Sequence, residues 1–184
     1  MNVSTRIAVL ALLPFLVSAE ELKVDKDHSE IQFSVSHMVI SKTKGEFTEF
    51  DATVVVEEDK LVSVKAEIPV SSIDTGNKKR DEHLRGADFF DVEEYPNITF
   101  ESTKIEDGKL HGNLTILDIT KEVALDLEFL GPVVDPWGNT RYGLNLSGEI
   151  DRGEFGLSWN KALEAGGVLV GDTVSISISV ELMK

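Results

Sequence analysis

Apolar and polar residues alternate with a period of two along most of this chain, as they do in strands that bury one face. The cleanest run is Asp172–Met183, where Val174, Ile176, Ile178, Val180 and Leu182 stand against Thr173, Ser175, Ser177, Ser179 and Glu181. The same alternation predicts strands over Glu21–Lys26, Glu30–His37, Asn97–Ile105, Lys109–Ile119, Lys121–Leu130 and Arg141–Ile150. Leu61–Val70 is another, with Val62, Val64, Ala66, Ile68 and Val70 on its apolar row. A long strand opens at Gly45 and runs through Phe47, Phe50, Ala52, Val54 and Val56. Its change from odd to even positions between Phe47 and Phe50 predicts a bulge near Thr48-Glu49. The links Glu58-Asp59-Lys60, Asp107-Gly108 and Asp135-Pro136-Trp137-Gly138-Asn139 carry turn chemistry. Arg152 to Gly167 is less regular, and a helical turn is expected at Lys161–Ala165.

About nine strands joined by short links, without helices between them, exclude a parallel α/β sheet and predict an all-β antiparallel fold. A sandwich and a closed barrel both satisfy that pattern. Strands of about ten residues, each about 33 Å long, favour a closed barrel of about eight strands wrapped round one interior. An outer-membrane barrel would turn its apolar rows to lipid, but it needs aromatic girdles at both interfaces. Two Trp and two Tyr cannot form them, so the apolar rows are expected to face inward.

One stretch breaks the alternation: Ser71 to Phe100. Asp74-Thr75-Gly76-Asn77 is a turn and helix-start cluster, Lys78 to Arg85 offers a short charged helix with Leu84 as its one apolar residue, and Gly86 is placed to end it. A second turn at Asp88 would direct Phe89 and Phe90 inward, and Tyr95-Pro96 closes the excursion. Such a helical insert reads as a plug or lid near the barrel mouth, or as a long connection anchored by its aromatics. Arg80, Asp81 and Arg85 read as an ion-pair set on the helix surface.

Composition narrows the function. The chain has 184 residues, enough for one substantial core. Residues 1–19 read as a signal peptide: Arg6, an apolar run from Ile7 to Val17, then the small residues Ser18 and Ala19. The run is too short for the roughly 20 residues a membrane span needs. The domain is therefore expected over residues 20–184, in an exported, periplasmic protein. Loss of Arg6 with the leader would deepen the net charge of −15 by one, a balance that repels phosphate backbones and anionic headgroups. Nucleic acid and stable membrane insertion are accordingly not expected. The chain has no Cys, which removes disulfides and thiolate chemistry.

Enzymatic chemistry finds little footing. His28, His37, His83 and His111 lie on separate predicted elements without metal-ligand spacing, and there is no nucleophile elbow, phosphate loop or dinucleotide fingerprint. Only His37 and Asp118 suggest themselves as polar groups for a reaction on a molecule bound inside. No catalytic residue, metal or cofactor is expected. A closed barrel either fills with side chains or keeps room for a small ligand. Ala52, Ala66, Gly112 and Gly148 each remove volume from an otherwise bulky row, or ease bending of their strands. Any space left would be lined by Val, Leu, Ile and Phe, which suits an apolar chain at about 0.8 kcal/mol per buried methylene.

The segments Ile73-Asp74-Thr75-Gly76, Arg80-Asp81-x-His83-Leu84-Arg85-x-Ala87-Asp88-Phe89-Phe90 and Tyr95-Pro96-x-Ile98-x-Phe100 together resemble the YceI-like family of exported polyisoprenoid-binding proteins. The resemblance extends through Asp27-x-x-x-Ile31-x-Phe33-x-Val35-x-His37, Gly45-x-Phe47, Gly112-Asn113-Leu114-Thr115-Ile116, Thr120-Lys121, Asp135-Pro136-Trp137-Gly138 and Phe155-Gly156, in order along the chain. It implies a lipocalin-like antiparallel barrel holding an isoprenoid or similar amphiphile, such as a polyprenol or a quinone tail, often in a homodimer. Leu117-Asp118-Ile119 departs from the family's usual polar-glycine turn, which leaves that hairpin's geometry open. On the inward rows, Phe33, Phe47, Val64, Phe89, Phe90, Phe100, Leu114 and Leu125 are the residues expected to line the lipid. A ligand-free, filled barrel with a structural or stress-protective role is the rival reading, and an enzyme acting on a bound lipid a more distant one.

Overall fold

The computed structural model describes residues 18–164 and 166–184, so most of the predicted leader lies outside the described residues. Among the described residues the strands are β1 (Glu20–His37), β2 (Ser41–Phe47), β3 (Asp51–Glu57), β4 (Lys60–Pro69), β5 (Ile73–Asp74), β6 (Asn97–Glu106), β7 (Lys109–Ile116), β8 (Ile119–Val134), β9 (Thr140–Asp151) and β10 (Val170–Met183), with one α-helix, α1 (Lys78–Arg85). Antiparallel pairing runs β1–β3–β4–β6–β7–β8–β9–β10 and returns from β10 to β1, closing an eight-strand barrel. β2 adds to the upper half of β1, and the short β5 adds to β2.

Several local expectations are corrected. Glu21–Lys26 and Glu30–His37 are one strand, not two. The register against β10 slips between Asp25 and Glu30, and Ser29 bridges the slip by donating to the Asp25 carbonyl (2.6 Å) while accepting from the Glu181 N–H (3.1 Å). With its backbone groups satisfied there, the chain has no need to leave the sheet. Conversely, the long strand from Gly45 is two, β2 and β3, because the step at Thr48-Glu49 is a break and not a bulge. Thr48 donates to the Ser72 carbonyl through both N–H and hydroxyl, and the Ser72 hydroxyl reaches the carbonyls of Glu49 and Pro69. Finally, a bulge where Val55 meets Ser63 and Val56 meets Leu61 turns Leu61 inward and leaves Val62 46 % exposed, off the buried row. The helical turn expected at Lys161–Ala165 ends on a residue outside the described ones; over its described residues, 161–164, no helix forms and Ala162 bridges Val168.

The insert is tied down by its charges. Asn77 caps α1 by accepting from the Arg80 N–H at 3.2 Å, and the Gly86 N–H closes on the His83 carbonyl. Arg80, Asp81 and Arg85 do not pair with one another as expected. Asp81 is buried and takes the N–H (2.9 Å) and the hydroxyl (2.5 Å) of Thr75. Arg80 donates to the Thr75 hydroxyl and carbonyl, and Arg85 to the carbonyls of Ser71 and Ile73. Backbone left without partners between β4 and α1 thus recruits the helix's own side chains.

The turn at Leu117-Asp118 is a tight two-residue link between Ile116 and Ile119, with Leu117 at φ +57°. Its side chain packs against the core, which offsets the cost of that backbone.

The interior is packed at one end and open at the other. At the base, Leu22, Val54, Val56, Leu110, Tyr142, Leu144 and Leu182 are at most 3 % exposed. Phe129 stacks on Tyr142 with ring centres 5.7 Å apart, and the Tyr142 hydroxyl donates to Asp59 at 2.6 Å. Toward the insert, Phe33, Val35, Phe47, Phe89, Phe90, Val174, Ile176 and Ile178 point along the same inward rows yet are only half-buried. Side chains that face inward and still meet solvent border a hollow.

Candidate functional site

That hollow is a cavity of about 200 Å³ in the upper half of the barrel, and the residues lining it are almost all Val, Leu, Ile, Phe and Ala. Strand alternation builds its wall: each of β1, β3, β4, β6, β7, β8, β9 and β10 contributes every second residue, and the insert adds Leu84, Phe89 and Phe90 from above. All eight residues singled out from the sequence, Phe33, Phe47, Val64, Phe89, Phe90, Phe100, Leu114 and Leu125, line this one space.

Aromatic rings organise the mouth. Phe33 lies 5.7 Å from Phe47, and Phe47 meets Phe90 edge-on at 6.4 Å. Phe89 sits against Trp159 at 5.1 Å, and His83 stands edge-on to both at 5.0 Å while its Nε2 lies 3.1 Å from Asp88. Two rings of the insert therefore cover the cavity, one packed on the barrel wall and one on the segment that follows β9. The His83–Trp159 contact carried no signal in the sequence, because the residues are far apart in the chain and neither belongs to a periodic row.

The small residues divide into two kinds. Gly112 and Gly148 do not open space as their place in bulky rows suggested. A Cβ on Gly112 would lie 2.4 Å from the Phe100 ring, and one on Gly148 2.8 Å from a Leu125 methyl, so a neighbouring strand's side chain already occupies each gap. Ala52 and Ala66 pair directly across β3 and β4 and both line the cavity, where their short side chains leave the wall thin.

Among the lining residues that the sequence did not single out, Arg152 is the buried charge. It follows β9, is only 5 % exposed and borders the cavity. Its guanidinium donates to the carbonyls of Gly171 (2.8 Å), Trp159 (3.0 Å) and Leu157, and reaches Asp172 at 3.3 Å. The planar fork holds the irregular segment after β9 against the start of β10 and so shapes one side of the mouth. No period or motif marks a lone arginine for this task.

Among the described residues, groups that could support catalysis do not converge in the cavity. Neither His37 nor Asp118 lines the cavity; His37 ends β1 opposite Val170, and Asp118 sits exposed in the β7–β8 turn. Ligand atoms of Asp25, His28 and Glu181 lie within 4.8 Å of one another, but on the outer surface. Arg141 donates to Asp25 at 2.7 Å and to Glu181 at 3.1 Å, so a guanidinium already supplies the positive charge between those carboxylates. The same Arg141, at 2.8 Å, and Asn139 hold the Asp135 carboxyl well below the usual carboxylate range, and the bond to Arg141 lowers Asp25 as well. At the base, the hydrogen bond to Asp59 pushes the Tyr142 phenol up to about 12.

Comparison with known proteins agrees with this architecture. A UPF0312 protein of Staphylococcus aureus is 39 % identical over 160 residues, covering 85 % of this chain and 94 % of its own. Burkholderia cenocepacia BcnA superposes with a TM-score of 0.74 at 25 % identity, over 86 % of this chain and 99 % of its own. A polyisoprenoid binding domain from Saccharophagus degradans shares the fold at a TM-score of 0.63 and 13 % identity, over 91 % of this chain and 98 % of its own. The YceI-like domain model matches residues 22–182, and with nearly the whole barrel inside that match the chain belongs to the YceI-like family.

Proposed function

We propose that this protein binds the apolar chain of an isoprenoid or similar amphiphile, a polyprenol or a quinone tail, in the upper half of the barrel, with the headgroup at the mouth. The observation that carries the reading is the hollow itself: about 200 Å³ of space walled by apolar side chains, above a base packed to exclusion of solvent. An apolar cavity of about 150 Å³ stays dry and takes up benzene, so a space of this size and lining favours a hydrocarbon over water. It accommodates the end of a chain as it stands. A longer tail requires Phe33, Phe47, Phe89 and Phe90 to swing aside, which their half-buried positions at the mouth allow. The polyisoprenoid-binding neighbour of the same fold supports this choice of hydrocarbon. The leader over residues 1–19 would deliver the protein to the periplasm, where carriage or protection of a lipid between membranes has a use. In this role the protein is a binder and not an enzyme.

The test is extraction of the purified protein with organic solvent and mass spectrometry of the extract, followed by titration with a quinone and a polyprenol. A bound isoprenoid and saturable uptake are expected. A protein that yields no lipid and takes up neither compound would return the filled, ligand-free barrel as the better account.

A further inference from the structure

The link between β1 and β2 is built against the usual rules for such a turn. Met38 and Val39 both adopt positive φ, +53° and +65°, the backbone that favours Asn and Gly and that a β-branched residue resists. Two-residue turns at the base of the barrel share the conformation with polar residues: Asp107-Gly108 at +52° and +73° fits it fully, and Glu58-Asp59 at +48° and +61° fits it at Asp59. Leu117 also has positive φ, but its side chain is packed on the core. At the β1–β2 tip nothing comparable offsets the strain, for Val39 is 74 % exposed, Ile40 83 % and Met38 40 %. Neither local conformation nor burial explains three apolar residues there, and sites that break both rules are where function is sought.

The tip also has a position and a charge. His37 pairs with Val170, and the Met38 N–H donates to the Leu169 carbonyl at 2.8 Å, so the tip rises from the cavity wall at the mouth end, with Val168, 40 % exposed, in the neighbouring segment. Lys42 and Lys44 are exposed on β2 below it, and Lys161 lies on the segment bridged to Val168. Lys26, Lys65 and Lys109 are each matched by a carboxylate, Asp51, Glu101 and Asp126, whereas Lys42, Lys44 and Lys161 are among the described lysines that no carboxylate meets. In a chain of net charge −15, three exposed lysines thus stand round an apolar point, with Glu46 and Glu164 as the exposed acids on the same strand and segment.

We propose that the Met38-Val39-Ile40 tip, with Val168 and the lysines around it, is a shallow contact site for an anionic lipid bilayer through which the cavity is loaded. This rests on the reading of the cavity as an isoprenoid site, since such chains reside in bilayers and not in water. The apolar tip enters the headgroup region, the lysines meet phosphates, and the acidic remainder of the surface is repelled, which keeps the contact brief and reversible. Val133, Val134 and Trp137, also exposed, lie at the opposite end of the barrel and cannot bring the mouth to a membrane.

Because the chain has no Cys, Val39→Cys and Trp137→Cys can each carry a single environment-sensitive fluorophore. With vesicles of phosphatidylethanolamine and phosphatidylglycerol, emission is expected to rise about twofold or more at position 39, to fall back with salt, and to stay level at position 137. No rise at position 39, or an equal rise at both, overturns the proposal. So does a rise at position 39 without vesicles as protein concentration increases, which would make a second copy of the chain the occupant. The variant Val39→Asn/Ile40→Thr, whose turn residue suits positive φ, is expected to take a polyprenol from vesicles about tenfold more slowly yet bind geranylgeraniol presented without a membrane as the native protein does. Unchanged transfer from vesicles would also overturn it. If native protein and variant alike ignore geranylgeraniol, the cavity reading fails, and the fluorophore still reports on the membrane contact by itself.

Discussion

The Phe100 ring lies across Gly112 on the adjacent strand, with its Cζ 2.4 Å from where a Cβ on residue 112 would stand. Gly112 is therefore a seat for a cavity-lining ring and not a gap in the wall. Gly112→Ala forces the ring to rotate into the cavity or the strands to part, and overpacking of this kind costs about 1–3 kcal/mol. Urea denaturation should show that loss, and adding Phe100→Leu should recover the part due to the ring, while the Glu101 carbonyl, 2.7 Å from the same Cβ, keeps the rest. A double variant no more stable than Gly112→Ala would mean that the two residues are not coupled in this way.

A second prediction separates the space from the wall. Ala66→Leu extends a side chain from β4 into the cavity opposite the short Ala52. Filling a void commonly stabilises by about 0.5–2 kcal/mol, whereas lost ligand volume weakens binding, here by about tenfold, or ~1.4 kcal/mol. Stability and affinity should thus move in opposite directions, read by denaturation and by titration with a quinone. If both fall together, the side chain has disrupted the wall and the void is not where the ligand sits.

The barrel and its site were legible to different depths in the sequence. Strand alternation fixes which side chains face inward, so Val64, Leu114 and Leu125 could be placed in the lining without knowing any strand's partner. The Phe89-Phe90 pair stood out because it interrupts a charged stretch, and both rings do cover the cavity. What escaped depends on contacts between distant parts of the chain. Ser29 satisfies a slip in β1 through Glu181 of β10, and Ser72 draws the backbone apart at Thr48. Arg152 is buried because four acceptors from the segment after β9 and the start of β10 converge on it. No local period encodes such meetings. The roles of Gly112 and Gly148 failed for the same reason, since what fills a glycine's space belongs to the next strand.

At the base, pH probes the seal. The Tyr142 phenol, raised to about 12 by its hydrogen bond to Asp59 and by burial, ionises near 10 when unfolded. A group whose folded value is raised contributes stability that is complete below about pH 10 and is lost as pH climbs through about 12. Ultraviolet titration of tyrosinate should show Tyr142 ionising late and together with loss of structure. Tyr142→Phe should remove that alkaline component while leaving Tyr95, which Glu94 raises first and foremost, as the one remaining signal. Ionisation of Tyr142 near 10 in the folded protein would show that the base is open to water.

The insert governs how fast a ligand leaves, and Arg85 is where that control can be tested. Its guanidinium donates to the Ser71 carbonyl at 2.9 Å and the Ile73 carbonyl at 2.6 Å, holding α1 to the turn after β4 and to β5. The turn carrying Phe89 and Phe90 hangs from the same helix through the Phe90 N–H on the Leu84 carbonyl and the Val92 N–H on the Arg85 carbonyl. Arg85→Met keeps the aliphatic stem and removes both side-chain bonds, at about 1 kcal/mol each. Those bonds hold the helix and not the closed ring of strands, so the loss should concentrate in local opening of residues 78–92. Hydrogen exchange there should quicken while exchange in β8, β9 and β10 stays as in the native protein, and a bound quinone should dissociate about tenfold faster with a smaller change in its association rate. Exchange that accelerates equally in the strands would show that α1 is part of the barrel's cooperative core. Unchanged ligand release despite faster exchange would show that the two phenylalanine rings do not gate the cavity.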